Sequence, residues 1–336
     1  MPDLPVRECV YATAGWGIHD ERWVAGLAEV GFNPSVISLG REAKDEEDLQ
    51  RAVASASRDG RPILAGPLPT VARPLVDAGL RPVGLSWGYD LADAAMRPQD
   101  VTWLVRLRGL IVDSEANREL AEHAGLPASR ITYLPWGIDL STFVVDASRV
   151  DGPDLDVPES APIVLSLRAH EATYRVEDIL RAFALLPPLA VQPQLVVGHA
   201  GSLTADLRRL ADELGIAARV RFIGTVPEHD LVPLMGRAAC YVTASEVDGT
   251  SVTLLQAMAC GTPVVASDTP GTLGWVEDGV TGFTFPMGDV QALASVLERI
   301  LSSGSGNVTS RARAAVEAKA DWHANLERLR LAMELP

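Results

Sequence analysis

Lysine, cysteine and long apolar runs are what this chain has least of. Lys44 and Lys319 are its only lysines, nearly all positive charge is arginine, and the formal net charge is -15. No basic block offsets that acidity, so neither nucleic acid nor an anionic membrane surface is expected as a main partner, and an anionic ligand would need a local site. Cys9, Cys240 and Cys260 stand alone, with no paired spacing for zinc and an odd number for a disulfide framework. A reduced, cytoplasmic setting is expected. No stretch approaches the roughly 20 apolar residues of a membrane span, and MPDLPVRECVYATAG at the amino terminus lacks the apolar run of a signal peptide. A soluble protein without integral membrane association is expected, and the sequence is silent on oligomeric state.

What is present is a long, apolar-rich chain of 336 residues, 47% hydrophobic. At about 150 residues per domain that length predicts two domains. Short apolar runs bounded by glycine, proline or asparagine alternate with longer amphipathic stretches, the pattern of helices crossing over between parallel strands. In the first half strands are expected near Cys9 to Thr13, Ser35 to Leu39, Ile63 to Ala65, Val83 to Ser86, Leu110 to Val112 and Ile131 to Leu134. In the second they are expected near Ile163 to Leu167, Leu195 to Val197, Val220 to Ile223, Cys240 to Thr243, Val264 to Ala266 and Gly282 to Phe285. The acidic stretch VDASRVDGPDLDVPESAP, broken by prolines, reads as a connection.

The expected organisation is a first domain over 1–148, a linker over 149–162, a second domain over 163–319, and a terminal helix over 320–336 able to pack back on the first domain. Each domain should be α/β, a Rossmann-like doubly wound parallel sheet. Ligands of such sheets sit beyond the carboxyl ends of the strands, so the expected site lies in a cleft between two facing domains.

The most informative segment is SEVDGTSVTLLQAMACGTPVVASD, Ser245 to Asp268: a loop after a strand, a helix, then Gly-x-Pro and another buried strand. It resembles the donor segment of the retaining glycosyltransferases of family 4, group 1 enzymes of the GT-B fold. There an acidic residue, seven residues and a second acidic residue precede Ala-Met-Ala-x-Gly-x-Pro-Val-Val. Asp248 and Gln256 occupy those two positions here, and the likeness continues through VEDGVTGFTFPMGD, Val276 to Asp289.

The resemblance implies that Asp248 binds hydroxyls of the transferred sugar and Gln256 those of the ribose. Gln256 keeps the hydrogen bonding of the usual glutamate and loses its charge, worth about 1 kcal/mol. Gly249, Thr250, Ser251 and Val252 are placed for a diphosphate at a helix N-terminus, where backbone N–H groups and the positive dipole end are available. Family members also carry an arginine and, about five residues on, a lysine that neutralise the leaving diphosphate. LSLRAHEATYR has Arg168 in the first place and no lysine; Arg175 is the substitute candidate, since arginine also grips phosphate. His170 is a further candidate for the donor, against the reading of an exposed loop histidine. Gly224 to Pro227, including Val226, match the loop that faces the nucleobase.

In the first domain Gly15 and Gly17 form a turn before a helix that Asp20 would cap, and the resemblance places donor phosphates and acceptor near it. His19 and Asp20 are acceptor candidates. So are Trp87 and Asp90 in LSWGYDL, and Trp136 in LPWGIDL, where tryptophans stand in place of the family's histidine and asparagine and could stack on a sugar or an aromatic ring.

The resemblance thus implies a retaining, metal-independent hexosyltransferase with no cofactor, using a UDP- or GDP-linked sugar and a small soluble acceptor. No Asp-x-Asp metal motif is apparent, and ADAA at 92–95 is not one. The readings left open beside it are glycolipid or polysaccharide assembly, a nucleotide-sugar epimerase, and a donor-binding subunit without turnover. GWGIHD argues against a dehydrogenase, because it puts Asp20 where the third glycine of the dinucleotide fingerprint belongs.

Overall fold

The computed structural model describes residues 6–88, 90, 91, 101–145 and 152–336. ADAA, residues 146–148 at the end of the expected first domain and residues 149–151 of the expected linker lie outside these. The chain divides into two compact units, one made of residues 1–137 and 322–336, the other of 138–321.

The first unit alternates β1 (Arg7–Thr13), α1 (Ile18–Glu29), β2 (Phe32–Ser38), α2 (Glu46–Ala56), β3 (Ile63–Gly66), α3 (Arg73–Asp77), β4 (Val83–Leu85), β5 (Gly109–Val112), α4 (Glu115–His123) and β6 (Ile131–Tyr133). Its strands form one parallel sheet in the order β2-β1-β3-β4-β5-β6. Both faces are covered, which is why the strands read as unbroken apolar runs rather than alternating ones. Val10, Ala12, Ile63, Ala65, Leu110 and Val112 pack with Leu49 and Val53 of α2 and with Leu75 and Leu104. Tyr11, Leu64, Leu85 and Ile111 are buried on the opposite face. Asp45 and Ser114 start α2 and α4 by accepting the N–H groups of Asp48 and Asn117.

The second unit runs β7 (Ile163–Ser166), α5 (Val176–Ala184), β8 (Gln194–Gly198), α6 (Thr204–Glu213), β9 (Val220–Gly224), α7 (Glu228–Arg237), β10 (Ala238–Thr243), α8 (Val252–Ala259), β11 (Val264–Ser267), α9 (Pro270–Leu273), β12 (Phe283–Phe285), α10 (Val290–Ser303) and α11 (Val308–Lys319). Its parallel sheet has the order β12-β11-β10-β7-β8-β9. Ile163, Leu165, Tyr241, Val264 and Ala266 face α8 and α11 through Leu254, Met258, Ala312 and Val316. Val164, Leu195, Val197, Val242 and Val265 face α5 and α10 through Ile179, Phe183, Leu293 and Leu297.

The last helix, α12 (Trp322–Met333), belongs to the first unit, where Trp322 and Leu326 close over Gly26 of α1 so tightly that a Cβ there would collide with the indole. All three cysteines are buried and free, and burial pushes each thiol up to about 12, so none is a nucleophile near neutral pH. Among the described residues no helix is long and apolar enough to cross a membrane.

Both strand orders contain a reversal point, where consecutive crossovers leave on opposite faces and a crevice opens at the strand ends. In the second unit it lies between β7 and β10; in the first, between β1 and β3.

Candidate functional site

Arg168 leaves the carboxyl end of β7, and the loop Ala244 to Ser251 leaves that of β10, one on each side of the second unit's reversal point. They meet there. Arg168 Nη1 donates to Ser251 Oγ at 2.8 Å, and Nη2 pairs with Asp248 Oδ2 at 2.8 Å. The guanidinium lies 4.2 Å from the ring centroid of Tyr174. Arg168 and Asp248 side chains are only 12% and 17% exposed, so little solvent screens the pair. Burial pushes the Asp248 carboxyl up, opposed by Arg168 and by the Gly249 N–H.

The loop itself is pinned from beneath. Ser267 Oγ donates to the Ser245 carbonyl at 2.6 Å, and Thr243 and Ser245 hydroxyls meet at 3.0 Å. Gly271, in α9, presses on the Asp248 and Gly249 carbonyls so closely that no side chain fits there. Ser251 is the N-cap of α8, its Oγ accepting from Leu254 N, and Thr250 is buried beside it. Gln256 lies inward on α8, and its Oε1 is buried with no hydrogen-bond partner; the same holds for Arg168 Nε and Ser166 Oγ. Such atoms cost about 1–3 kcal/mol each unless a ligand or water satisfies them.

Val226 lies over the end of β8, against Gly198. Arg175 follows Tyr174 and lies near enough to Glu246 of the Ala244 to Ser251 loop for the two charges to interact. It adopts a left-handed conformation (φ 47°) at the N-cap of α5, and its Nε donates to Asp178 Oδ2 at 2.7 Å, inside its own helix. His170, weighed as a donor contact or an exposed loop residue, is neither: it is fully buried, with Nδ1 2.9 Å from Thr204 Oγ1 and Nε2 3.1 Å from the Gly198 carbonyl.

In the first unit the turn holding Gly15 and Gly17 follows β1 at the reversal point. Asp20 is the third residue of α1, which starts at Ile18, and helps cap it through the Gly17 N–H. It sits one turn in and reaches back, Oδ2 accepting from Gly17 N at 2.9 Å while Oδ1 accepts from Thr13 Oγ1 at 2.6 Å and Tyr11 Oη at 2.9 Å. Asp90 accepts from Ser86 Oγ and the Trp87 N–H of its own loop at 2.7 and 3.0 Å, and from the Leu68 N–H after β3 at 2.9 Å. Both carboxylates are buried and already hold these turns, so either would have to give up such bonds to meet an acceptor.

His19, Trp87 and Trp136 do come together. The His19 ring lies 4.6 Å from Trp136 and 6.2 Å from Trp87, the latter edge to face. Trp23 continues the cluster to Trp322. Arg22 stacks 4.3 Å over Trp322 and donates to the Gly137 carbonyl. Loss of solvent, then Arg22, hold the His19 imidazole below its ordinary pKa, which keeps it neutral beside the indoles. Sequence reasoning placed Arg22 beside His19 and Asp20 and missed Trp23 and Trp322; the spacing of four between His19 and Trp23 on α1 was the available signal for the first, and distance along the chain hid the second.

Two doubly wound α/β units, each a six-stranded parallel sheet with a reversal point, define the class as the two-domain GT-B fold. Residues 150–321 match the family described as glycosyl transferases group 1, and the chain belongs to that family. It is 33% identical over 216 residues to the D-inositol 3-phosphate glycosyltransferase of Mycobacterium tuberculosis; that stretch is 62% of this chain and 44% of the relative, so the chain matches less than half of that protein's length. Among solved structures it is similar to Anabaena Alr3699/HepE in complex with UDP, with TM-score 0.80, 17% identity, and 98% of this chain and 99% of that one covered. It is also similar to sucrose-phosphate synthase from Thermosynechococcus elongatus, with TM-score 0.74, 21% identity and coverage of 96% and 97%.

Proposed function

We propose that the protein moves a hexose-like sugar from a nucleoside-diphosphate donor, UDP- or GDP-linked, to a small soluble acceptor with retention of configuration, as family 4 enzymes do. The observation that carries this reading is the Arg168–Ser251–Asp248 lock across the second unit's reversal point. A diphosphate there would meet the Arg168 guanidinium and the N–H groups at the start of α8, Gly249 to Val252. Asp248 would take sugar hydroxyls, Gln256 Oε1 the ribose hydroxyls, and the backbone about Val226 the base. HepE is described with UDP and with UDP-glucose, which supports UDP as the first donor to try.

The bond from the anomeric carbon to the β-phosphate oxygen breaks as the acceptor oxygen bonds to that carbon on the same face. The acceptor proton passes to the departing diphosphate, whose added charge Arg168 stabilises; neither a metal nor a cofactor enters this scheme. His19, Trp87 and Trp136 are the proposed acceptor contacts, and the turn at Gly15 and Gly17 leaves room for the substrate's approach. Arg175 would assist only after leaving Asp178. That engagement, with Gln256 in place of an acid, favours a second reading: donor binding without transfer.

The test is release of UDP from UDP-glucose in the presence of small hydroxylated acceptors, with NMR assignment of the product's anomeric configuration. The expected product is α-linked, as in the donor, and Arg168→Ala should slow release by about 100-fold or more while Lys44→Ala stays near wild type. A β-linked product would overturn retention. UDP binding without release with any acceptor would establish the second reading.

A further inference from the structure

We propose that the His199 imidazole is a second ligand of the donor's phosphates, shared with Arg168 and nearest the phosphate that bears the nucleoside. The inference rests on the donor reading of the second unit and extends it to a residue that neither motif nor resemblance had singled out.

Placement comes first. β7 and β8 pair in parallel with Ser166 opposite Val197, so continuing the register sets Arg168 beside His199 at the same edge of the sheet. On its other side His199 is tied to the loop beyond β9: its N–H donates to the Gly224 carbonyl at 2.5 Å, at the head of the segment holding Val226. His199 therefore stands between the proposed diphosphate arginine and the proposed base loop, where the nucleoside-bearing phosphate of a donor must pass.

Conformation is the second observation. His199 has φ 67°, in the left-handed region that costs a non-glycine residue about 1 kcal/mol or more and persists only where surroundings enforce it. The enforcement is visible. His170 grips the Gly198 carbonyl and Thr204; His170 N–H donates to the Ala200 carbonyl; Leu203 N–H donates to the His170 carbonyl; and Glu171 accepts from Ser202 through both backbone and hydroxyl. This clamp accounts for the burial of His170 and for the choice of a strained side chain where glycine would suit the backbone. It holds an imidazole at the strand edge.

Charge is the third. Burial, then Arg168, keep the His199 imidazole below its ordinary pKa in the free protein. An anion placed against both side chains removes that repulsion and gains a charge-assisted hydrogen bond.

The experiment compares UDP, UMP and uridine on wild type, His199→Gly and His199→Asn by calorimetric or NMR titration. Glycine and asparagine both tolerate the left-handed backbone, so each variant should melt close to wild type. The expected result is a loss of about tenfold in affinity for UDP and UMP with His199→Gly, partial recovery with His199→Asn, and no change for uridine. Unchanged UDP affinity, or an equal loss for uridine, would overturn the assignment. Absence of UDP binding by the wild type would bring down the donor reading itself, and so is distinct from failure of this step.

Discussion

Gln256 shows how one side chain can be read at the level of its atoms. Its Oε1 is buried and unpartnered, as are Arg168 Nε and Ser166 Oγ. A carboxylate in that place would accept ribose hydroxyls with a charge-assisted bond, at the cost of burying a charge while the site is empty. Gln256→Glu is therefore expected to bind UDP several-fold more tightly and to melt a few degrees lower without ligand, measured by titration and thermal unfolding. Tighter binding with no loss of free-state stability would mean the residue is better solvated than its burial implies. Asp20 makes the opposite point: Tyr11, Thr13 and Gly17 all donate to it. Asp20→Ala strands those donors and should destabilise the first unit by about 2–4 kcal/mol in denaturant unfolding.

The twelve strands of the described residues were legible because parallel strands covered on both faces must be short, continuous apolar runs, and IVLS, LVVG, CYVT and VVAS stand between glycine and proline punctuation. That Ser251 starts a helix just after a strand was legible too, and the likeness of Ser245 to Asp268 to the family segment pointed to the same loop. Carboxylate roles were not. Asp20 and Asp90 sit in glycine-rich turns after strands, where a ligand contact and a turn anchor have the same local sequence, and only the distant partners Thr13 and Leu68 separate the two. Arg175 was obscured similarly, because pairing with Asp178 one turn on competes with any phosphate. A sharper prediction belongs to α9. Gly271 backs directly onto the carbonyls of Asp248 and Gly249, so Gly271→Ala must displace the donor loop. It should weaken UDP binding by about tenfold or more while the sheet, read by far-ultraviolet circular dichroism, stays folded.

At the scale of the molecule, each half of the sequence builds its own doubly wound sheet, yet the chain does not simply end with the second. α12 returns to the first unit, where Trp322 meets Gly26, Trp23, Arg22 and the backbone at Gly137. Trp322 is buried, so Trp322→Ala should cost about 3–5 kcal/mol of the first unit's stability, measured by chemical denaturation. The apolar spacing of the last helix announced a buried face; its partner could not be read from spacing, because a terminal helix can dock wherever an apolar groove is open.

The most direct test is a titration of UDP against wild type, Arg168→Gln and Gln256→Glu, followed by calorimetry. The account predicts saturable binding by the wild type, a loss of about thirtyfold or more on removing the Arg168 charge, and a gain with Gln256→Glu. Wild-type binding that is indifferent to Arg168 would contradict it, because the crevice between β7 and β10 would then not be where the diphosphate sits.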